Sequence, residues 1–556
     1  MALHRAGKLP EALTGYRAGL AEEPNNSDAL HLAGTIAFQQ GQIGDAVELF
    51  ERAATPAVTN FEVWVNLGSS LWRVGRAADA LKALSRALEL NPASAEALVL
   101  TGHCHQALGA PAAAREAFTQ ALTLRPGWGD ALEAMAYALR DLGQPDAALE
   151  KAQEALRHEP RRVGAIRLIG VLMMQAANIA EAEKHFRLAL QIDPSDRSSR
   201  EHLGVMLDRA GRSEGAIEQL RAAVELQPED AISRYSLATA LLKTGQLAEG
   251  WSLYAARHRR DVGFLGQRMF MAPRLTGDVV PGQHLFAWTD QGVGEEIMFA
   301  NLIPDILAQN VKLTVECEPR LVALFARSFP GASFFPRTDP PHPRFREPYA
   351  AQVALADTAR QFRRDFKAFP NHAGYLRADP ERTAQMRAAY RRDGRTVIGL
   401  AWRTSANAKM NAAKSVPLMD WAPLLKLPDI TWVSLQYGDC KAEIAAVEAA
   451  FGIKIISDPA VDPLTDLDAF AAQVSAMDTV VTTSNATAHM AGALNIPTWT
   501  VVRSGVGALW HWFDKRHDSP WYPRMRLMRD TGEGSSVIAE TASLLGTDFA
   551  ARTAGA

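Results

Sequence analysis

A small residue returns every 34 residues through the first half of the chain, and this period constrains the fold more than any other feature. A fixed period of this length predicts one helical hairpin per repeat, because a single hairpin can bury its apolar face only against a neighbour. The pattern predicts a stacked-helix array that ends near residue 260. The small residues are Gly34, Gly68, Gly102, Ala136, Gly170, Gly204 and Ala238, and proline keeps the same interval at Pro92, Pro126, Pro160, Pro194 and Pro228.

One repeat, residues 61–94, shows how each hairpin is built. Gly68 and Ala80 are small enough to let two helices approach closely, while Gly75 and Pro92 end the helices. The order of small and large residues is similar to the tetratricopeptide signature, and it predicts seven full or nearly full repeats after a partial first one.

The first helix of each repeat usually lines a concave groove that holds an extended or helical peptide. Asn66 and Gln106 lie on this helix in their repeats and are candidate clamps for a peptide backbone. An exposed polar residue on a solvated helix is the more common explanation for both.

The bulk composition excludes several classes of protein. The net charge of -3 provides no attraction to nucleic acid or to an anionic membrane. No run of 18 apolar residues is present, and the first twelve residues lack the apolar region of a secretory signal, so we expect neither a membrane span nor a signal peptide. Three distant cysteines, Cys104, Cys317 and Cys440, favour a reducing compartment, the cytoplasm.

From about residue 261 the sequence changes to short apolar runs separated by amphipathic stretches. This alternation predicts parallel sheets with helical crossovers and a ligand cleft beyond the carboxyl ends of the strands. The charged stretch 379–395 separates two such sets, so we predict tetratricopeptide repeats at 1–260 and two Rossmann-like lobes at 261–385 and 386–556. The predicted strands are 284–290, 311–317, 396–402, 430–436, 454–458, 478–484 and 497–503, and the predicted helices are 295–309, 319–328, 442–450, 467–477 and 488–494.

The first candidate segment, TDQGVGEEI, follows a predicted strand and opens a helix. Gly292 and Gly294 allow a tight turn and a close approach of the backbone to a ligand. Glu295 and Glu296 are explained by the helix dipole, which favours negative charge in the first turn. The functional alternative is that Glu295, Glu296 or Asp290 acts as a general base for an acceptor hydroxyl.

The second candidate segment follows the first strand of the second lobe. Its basic and hydroxyl side chains are suited to phosphate oxygens, although a solvated basic loop also fits. They are Arg403, Ser405, Lys409 and Lys414.

The third candidate segment lies where strand 478–484 ends and a helix begins. Ser484 or Asn485 is a natural N-cap, and free backbone N–H groups at such an end form an anion site. Thr487 adds a hydroxyl, and His489 on the first turn could donate to a phosphate or a ribose.

The fourth candidate segment follows the last predicted strand. Arg503, Gly505 and Gly507 precede a dense aromatic stretch that runs from Trp510 to Tyr522. Glycines with aromatic rings suit stacking on a base or sugar, and they equally suit a lid packed on the lobe.

These segments carry a family resemblance. The stretches TTSNATAHMAGALNIPTW, GLAWRTS, KSVPLMDWAPLL and DSPWYPRMRL resemble the catalytic half of bacterial proteins that join tetratricopeptide repeats to a GT-B glycosyltransferase domain. This half is similar to the heptosyltransferase-like enzymes, and the layout resembles the repeat-bearing protein O-GlcNAc transferases. The whole chain most resembles bacterial flagellin glycosyltransferases. The resemblance implies transfer of a sugar from a nucleotide donor to a Ser or Thr hydroxyl of an acceptor protein bound by the repeats.

The resemblance also implies residue roles. Gly294 and Glu295 occupy the place of the family's Gly-Asp pair, which makes Glu295 the candidate base. Lys414 occupies the place of its phosphate-contacting lysine. The implied nucleotide-sugar site consists of Gly292, Gly294, Arg403, Lys414, Ser484, Asn485, Thr487, His489 and Arg503.

The implied donor is a CMP-nonulosonic acid with flagellin as acceptor, and UDP-GlcNAc with other protein acceptors is the second choice. No further cofactor and no metal are implied, because GT-B enzymes offset leaving-group charge with helix dipoles and basic side chains. Asp466 and Asp468 look like a metal-binding pair, but helix capping explains them better. Because SNATAH keeps only the histidine of the family's DTGPxH pattern, a non-catalytic adaptor with a degenerate sugar-nucleotide fold is the alternative function.

Overall fold

The computed structural model divides into two compact units, Met1–His202 and Leu203–Ala556. Ser405, Lys409, Gly505 and Gly507 of the candidate segments lie outside the described residues. The structure describes residues 8–259, 270–391, 394–404, 414–503, 509–530 and 534–554.

The first half of the chain consists of helical hairpins, as the 34-residue period predicts. A single helix, α1 (Leu9–Glu22), precedes seven hairpins in the described part of the chain. The predicted α-solenoid is therefore confirmed for this half. The paired helices are α2 (Ser27–Gln39) and α3 (Ile43–Ala53), α4 (Phe61–Arg73) and α5 (Ala77–Leu90), α6 (Ala95–Ala107) and α7 (Pro111–Leu124), α8 (Gly129–Asp141) and α9 (Pro145–His158), α10 (Val163–Gln175) and α11 (Ile179–Ile192), α12 (Arg197–Arg209) and α13 (Ser213–Leu226), and α14 (Ala231–Lys243) and α15 (Leu247–Tyr254).

The repeating small residue has a packing reason. A Cβ atom on Gly102 would lie 2.4 Å from Cε1 of Phe118, so only glycine lets this aromatic ring of the second helix pack against the first. Where the repeat carries Ala136 instead, the corresponding residue of the second helix is Ala152, and both lie in one core cluster. The same glycine–large residue relation joins Gly34 to Phe50, Gly68 to Leu84, Gly170 to Phe186 and Gly204 to Leu220.

The first sheet of the second unit has four parallel strands in the order β3-β2-β1-β4. Strands β3 and β4 were not among the predicted strands. The strands are β1 (His284–Trp288), β2 (Lys312–Cys317), β3 (Ala332–Pro336) and β4 (Ala351–Ala354), with helices α16 (Val293–Phe299), α17 (Ile303–Leu307), α18 (Val322–Ser328) and α19 (Ala359–Phe362).

The second sheet has seven strands in the order β10-β11-β9-β8-β5-β6-β7, and all of its pairings are parallel except that of β10 with β11. The strands are β5 (Thr396–Ala401), β6 (Ile430–Ser434), β7 (Ile455–Ile456), β8 (Thr479–Thr483), β9 (Thr498–Arg503), β10 (Asp518–Ser519) and β11 (Tyr522–Asp530). The helices are α20 (Pro380–Tyr390), α21 (Ala422–Leu425), α22 (Lys441–Phe451), α23 (Leu467–Ser475), α24 (Ala486–Ala493) and α25 (Gly534–Ala554).

The strands of the second half form two sheets, and helices alternate with these strands along the chain. The prediction of parallel α/β structure is confirmed. The charged stretch 379–395, expected to be a connection, contains α20. One apolar core cluster includes Trp251 of the last hairpin, Leu285 of β1 and Val433 of β6. The two sheets therefore share a core within one compact unit, and the predicted domain boundaries stay predictions.

Candidate functional site

The carboxyl ends of the two sheets meet at a pair of helices. Parallel strands place their carboxyl ends on one edge, so α16 begins just beyond β1 and α24 just beyond β8. The two helices pack against each other. A Cβ atom on Gly294 would lie 2.8 Å from Cδ2 of His489 and 3.6 Å from Cα of Ala486. Gly294 therefore allows the first turn of α16 to approach α24 closely.

Glu295 and Lys414 lie near each other at this junction. Burial raises the pKa of the half-buried Glu295 carboxyl, while its own backbone N–H and Lys414 act in the opposite direction. Burial also lowers the pKa of the half-buried Lys414 ammonium, and Glu295 opposes this shift. Within the described residues Glu295 has no ion pair shorter than 4.0 Å. Glu295 and Lys414 therefore influence each other's pKa without forming a direct ion pair.

His489 is the third member of this group. Its ring stacks on Trp512 with centroids 5.0 Å apart and planes 18° apart, and its Nδ1 lies 2.8 Å from the Tyr522 hydroxyl. Burial and the charge of Lys414 lower the pKa of His489 to about 3, so the imidazole is neutral at physiological pH.

Asp290 is held in a buried ion pair. Its Oδ2 accepts from Nε of Arg257 at 2.8 Å, and Nη1 of Arg257 lies 2.5 Å from Oδ1 of Asp357. All three side chains are less than a tenth exposed. The ion pair occupies the Asp290 carboxylate and anchors the loop after β1 to the short 3-10 helix Ala255–His258, which follows the last hairpin.

Glu296 is also fixed by partners. Its Oε1 lies 2.8 Å from Nη2 of Arg337, and its Oε2 accepts from the backbone N–H of Glu318 at 2.8 Å. Arg337 also donates to the backbone oxygen of Thr289 at 2.9 Å. Arg337 was missed from the sequence because it follows β3, which was not predicted; the short apolar run ASFFP before it is the signal that would have found it.

Asn485 caps α24 with its own side chain. Its Oδ1 accepts from the backbone N–H groups of Thr487 at 2.9 Å and Ala488 at 3.3 Å. Ser484 accepts from Nε1 of Trp512 at 2.7 Å. Two N–H groups expected to be free for phosphate are thus occupied, while the buried Thr487 hydroxyl has no partner in the described part of the chain.

The two arginines of the candidate set hold loops at the edge of the second sheet. Nε of Arg403 lies 3.0 Å from Oε2 of Glu443. The backbone oxygen of Arg403 accepts from Nδ2 of Asn485 at 3.3 Å. Arg503 lies 3.1 Å from Asp530 and donates to the backbone oxygen of Ser415 at 3.0 Å. The latter bond positions the segment that follows Lys414.

Gly292 is the N-cap residue of α16 and is exposed. A Cβ atom at this position would lie 3.1 Å from Oε2 of Glu295, so the Glu295 carboxylate folds back over the start of its own helix. This placement puts it in the positive field of the helix N-terminus.

The aromatic stretch after β9 packs inside the protein. Trp512 and Trp521 are fully buried, and Trp510 contacts the rings of Trp251 and Tyr254 at 5.4 and 5.6 Å. This packing fits the second of the two alternatives, a stretch packed on the lobe, and the buried rings of Trp512 and Trp521 are not available to stack on a base.

Asp466 caps α23 by accepting from the backbone N–H groups of Asp468 and Ala469 at 3.1 and 2.9 Å, and Asp468 pairs with Arg327. Over the described ranges, no cluster of three or more His, Cys, Asp or Glu is arranged to hold a metal ion. In the same residues, no helix combines the length and apolar character needed to cross a membrane.

A cavity of about 980 Å³ lies away from this junction, at the amino ends of β5 and β6 and beside β7. It is lined by Arg395, Asp429 and residues 452–459, among others. Because ligands of parallel sheets bind at the carboxyl ends, this cavity does not mark the candidate site.

The first unit has a polar groove of about 430 Å³ on its repeats, lined by His103, Gln106 and Tyr137, among others. Gln106 donates to the backbone oxygen of Ala134 at 3.2 Å, and Nδ2 of Asn66 lies 2.9 Å from Nε2 of His31. Both candidate clamps thus have internal partners.

Comparison with known proteins supports the repeats. The family model for the tetratricopeptide repeat matches residues 1–59, 65–131, 133–197 and 203–260. Protein FlbA of Caulobacter vibrioides is 32% identical over 329 residues, which are 56% of this chain and 54% of that protein. The chain thus matches about half the length of this curated relative.

Solved structures with similarity to the chain include MamA, with 26% identity, a TM-score of 0.28 and coverage of 29% of this chain and 94% of that one. A tetratricopeptide repeat protein from Parabacteroides merdae has 19% identity and a TM-score of 0.39, covering 43% of this chain and 95% of that one. The match of the family model, by itself, shows that the N-terminal half of the chain is an array of tetratricopeptide repeats.

Proposed function

We propose that this protein is a metal-independent GT-B glycosyltransferase that transfers a sugar from a nucleotide donor to Ser or Thr hydroxyls of an acceptor protein. The observation that carries the proposal is the meeting of Glu295, Lys414 and His489 at the carboxyl ends of the parallel strands of the two sheets. Ligands of such sheets bind at this edge.

In this proposal Glu295 removes the proton from the acceptor hydroxyl. A base of this kind must be unpaired, and Asp290 and Glu296 are each held by an arginine. Burial raises the pKa of Glu295, which strengthens it as a proton acceptor. The O–H bond of the acceptor breaks as its oxygen attacks the anomeric carbon, and the bond from that carbon to the phosphate oxygen breaks. Lys414 offsets the charge left on that phosphate.

The tetratricopeptide repeats bind the acceptor protein in this proposal. Flagellin with a CMP-nonulosonic acid is the first choice of substrates, on the resemblance of the whole chain to flagellin glycosyltransferases. UDP-GlcNAc with other protein acceptors is the second.

Intact-mass analysis tests this function. Purified protein is incubated with flagellin and either CMP-N-acetylneuraminate or UDP-GlcNAc, with the Glu295→Gln variant as the matched control. We expect a mass increase equal to one or more sugar residues with wild type and none with the variant. Modification by the variant at the wild-type rate would remove Glu295 as the base.

One observation favours a non-catalytic adaptor as the second candidate. Asn485 caps the α24 N-terminus, and Arg403 pairs with Glu443, so two expected phosphate contacts are occupied by protein groups. Thermal unfolding separates the two functions, because a ligand that binds only the folded state raises the melting temperature by mass action. An enzyme is expected to be stabilised by millimolar CMP or UDP, and an adaptor by neither.

A further inference from the structure

The short segment that carries Glu295 is held on both sides by side chains from outside it. Nε of Arg257 donates to Oδ2 of Asp290 at 2.8 Å, before Glu295. Nη2 of Arg337 lies 2.8 Å from Oε1 of Glu296, directly after it. Among the described residues Glu295 itself forms no ion pair within 4.0 Å, so an unpaired carboxylate lies between two neighbours that are fixed.

Gln291 is a third fixed point, and its partner comes from the last repeat hairpin. Nε2 of Gln291 donates to the hydroxyl of Tyr254, the final residue of α15, at 2.7 Å. Gln291 directly precedes Gly292, the N-cap residue of α16. The hydrogen bond therefore acts at the point where the helix that carries Glu295 begins.

The ring of Tyr254 is itself held in place and is 1% exposed. Cζ of Arg257 lies 4.3 Å from the centroid of this ring, and the rings of Trp251 and Trp510 pack edge-on against it at 5.2 and 5.6 Å. Nη1 of Arg257 also donates to the backbone oxygen of Tyr254 at 3.1 Å. Tyr254 therefore presents its hydroxyl to Gln291 from a fixed position.

We propose that Tyr254 is a positioning residue for sugar transfer: through Gln291 it fixes the start of α16 and thereby directs the Glu295 carboxylate toward the acceptor hydroxyl. This role rests on the proposed glycosyltransferase function. A general base acts only within hydrogen-bond reach of the proton that it removes, so a small displacement of the helix start lowers the rate of the chemical step. Tyr254 does not touch the substrate in this role; it supports the residue that does.

Tyr254→Phe tests this role, because it keeps the buried ring and removes only the hydroxyl. We expect kcat for sugar transfer to fall about tenfold, with the donor Kd and the acceptor KM unchanged, since the lost contact serves the transition state. Gln291→Met cannot donate the hydrogen bond and should produce the same loss. The double variant should lose no more than either single variant, because both remove one interaction.

Tyr349→Phe is the matched control for loss of a buried tyrosine hydroxyl. The Tyr349 hydroxyl donates to the backbone oxygen of Arg344 at 2.7 Å, in the segment before β4, and this variant should keep the wild-type kcat. A wild-type kcat in Tyr254→Phe, or a raised KM with kcat unchanged, would overturn the positioning role.

The Glu295→Gln background separates positioning from a general loss of structure. If Tyr254 acts through the Glu295 carboxylate, adding Tyr254→Phe to Glu295→Gln should lower the residual kcat by about twofold or less. A loss of about tenfold in both backgrounds would show that Tyr254 acts independently of the base, and the proposal would be wrong.

Amide hydrogen exchange tests the same role without any ligand. Mass spectrometry of peptides that cover 289–299 measures how well the loop and the first turn of α16 are ordered. We expect faster exchange there in Tyr254→Phe than in wild type, with exchange in β2 unchanged. Equal exchange of this segment in the two proteins would refute the positioning role even in an active enzyme.

The exchange measurement also keeps the two proposals apart. If wild type transfers sugar from neither CMP-N-acetylneuraminate nor UDP-GlcNAc, the proposed function fails and the positioning role fails with it. Faster exchange in Tyr254→Phe would then still show that the last hairpin orders this segment. Active wild type with equal exchange would instead remove the positioning role alone.

Discussion

Gly294 and His489 are in such close contact that a methyl group on the glycine would lie 2.8 Å from Cδ2 of the imidazole. This contact joins the two sheets at the point where their carboxyl ends meet. Since the ring is locked between Trp512 and Tyr522, it has little room to move away.

Gly294→Ala is therefore expected to push α16 away from α24 and to lower the free energy of unfolding by about 1–3 kcal/mol, the usual cost of overpacking. Urea unfolding measures the change. Gly277→Ala is the matched control, because a Cβ atom there meets nothing within 4 Å. Equal stability of the two variants would show that the junction accommodates a methyl group.

Glu295→Gln is expected to reduce sugar transfer by about 10²–10⁴-fold, the typical contribution of a general base. Because burial raises the pKa of Glu295, its carboxyl takes up a proton at a higher pH than an ordinary glutamate does. The rate of wild-type transfer should therefore fall as the pH is lowered, before the pH reaches the usual carboxyl range. A rate–pH profile measures this limb. The residual activity of the variant should lack it, and a variant that keeps the same limb would assign it to another group.

The same substitution has a consequence for stability. A carboxyl whose pKa is raised on folding stabilises the protein below its unfolded pKa, and this contribution is lost as pH rises through the folded value. Glu295→Gln should therefore be more stable than wild type at neutral pH, with a difference that shrinks as pH falls. Melting temperatures across the acid range provide the comparison, and a difference that grows toward acid would contradict it.

Lys243 of the last hairpin is 4% exposed and lies 3.1 Å from Asp208 and 3.8 Å from Asp514. Lys243→Met leaves these two carboxylates without their shared cation and is expected to cost about 3–5 kcal/mol at neutral pH. Burial already raises the pKa of Asp208, and loss of Lys243 raises it further. The cost should therefore decrease as pH falls and Asp208 becomes protonated.

Chemical unfolding at two pH values measures this cost. Arg221→Met is the control, since Arg221 and Glu249 form an exposed pair at 2.6 Å in the same part of the chain. That pair is expected to contribute about 1 kcal/mol or less. Similar losses in free energy of unfolding for Lys243→Met and Arg221→Met would mean that the buried lysine contributes no more to stability than the exposed ion pair.

We expect substitutions of a repeat glycine and of the large residue that it faces to have non-additive effects on the free energy of unfolding. Gly102→Ala should cost about 1–3 kcal/mol because the new methyl group meets Phe118. In the double variant Gly102→Ala with Phe118→Ala, the loss in free energy of unfolding should be smaller than the sum of the two single losses by about 0.5–3 kcal/mol. The natural Ala136–Ala152 pair is the precedent.

A double-mutant cycle in urea measures this coupling. Gly44→Ala, where a Cβ atom meets nothing within 4 Å, is the control and should be neutral or stabilising by up to about 1 kcal/mol. Additive losses at Gly102 and Phe118 would contradict the packing explanation.

The sequence alone determined the elements whose signals are local. The 34-residue period specifies a helical hairpin at every step, because each small residue must face a neighbouring helix, and the seven predicted strands of the second half are all present. Strands β3, β4, β10 and β11 were not predicted: the first three are short, and the apolar residues of β11 are interrupted by Pro523 and three arginines. The cap of α23 by Asp466 followed from its place before a helix.

Only the tertiary structure decided which charged side chains are paired. Asp290, Glu295 and Glu296 look alike in one short segment, yet Asp290 faces Arg257 and Glu296 faces Arg337, each distant in sequence. The ring of His489 is likewise held by Trp512 and Tyr522 of a later segment. Ion pairs and the surroundings of a buried ring depend on contacts between segments far apart in the chain, so a local sequence pattern does not predict them.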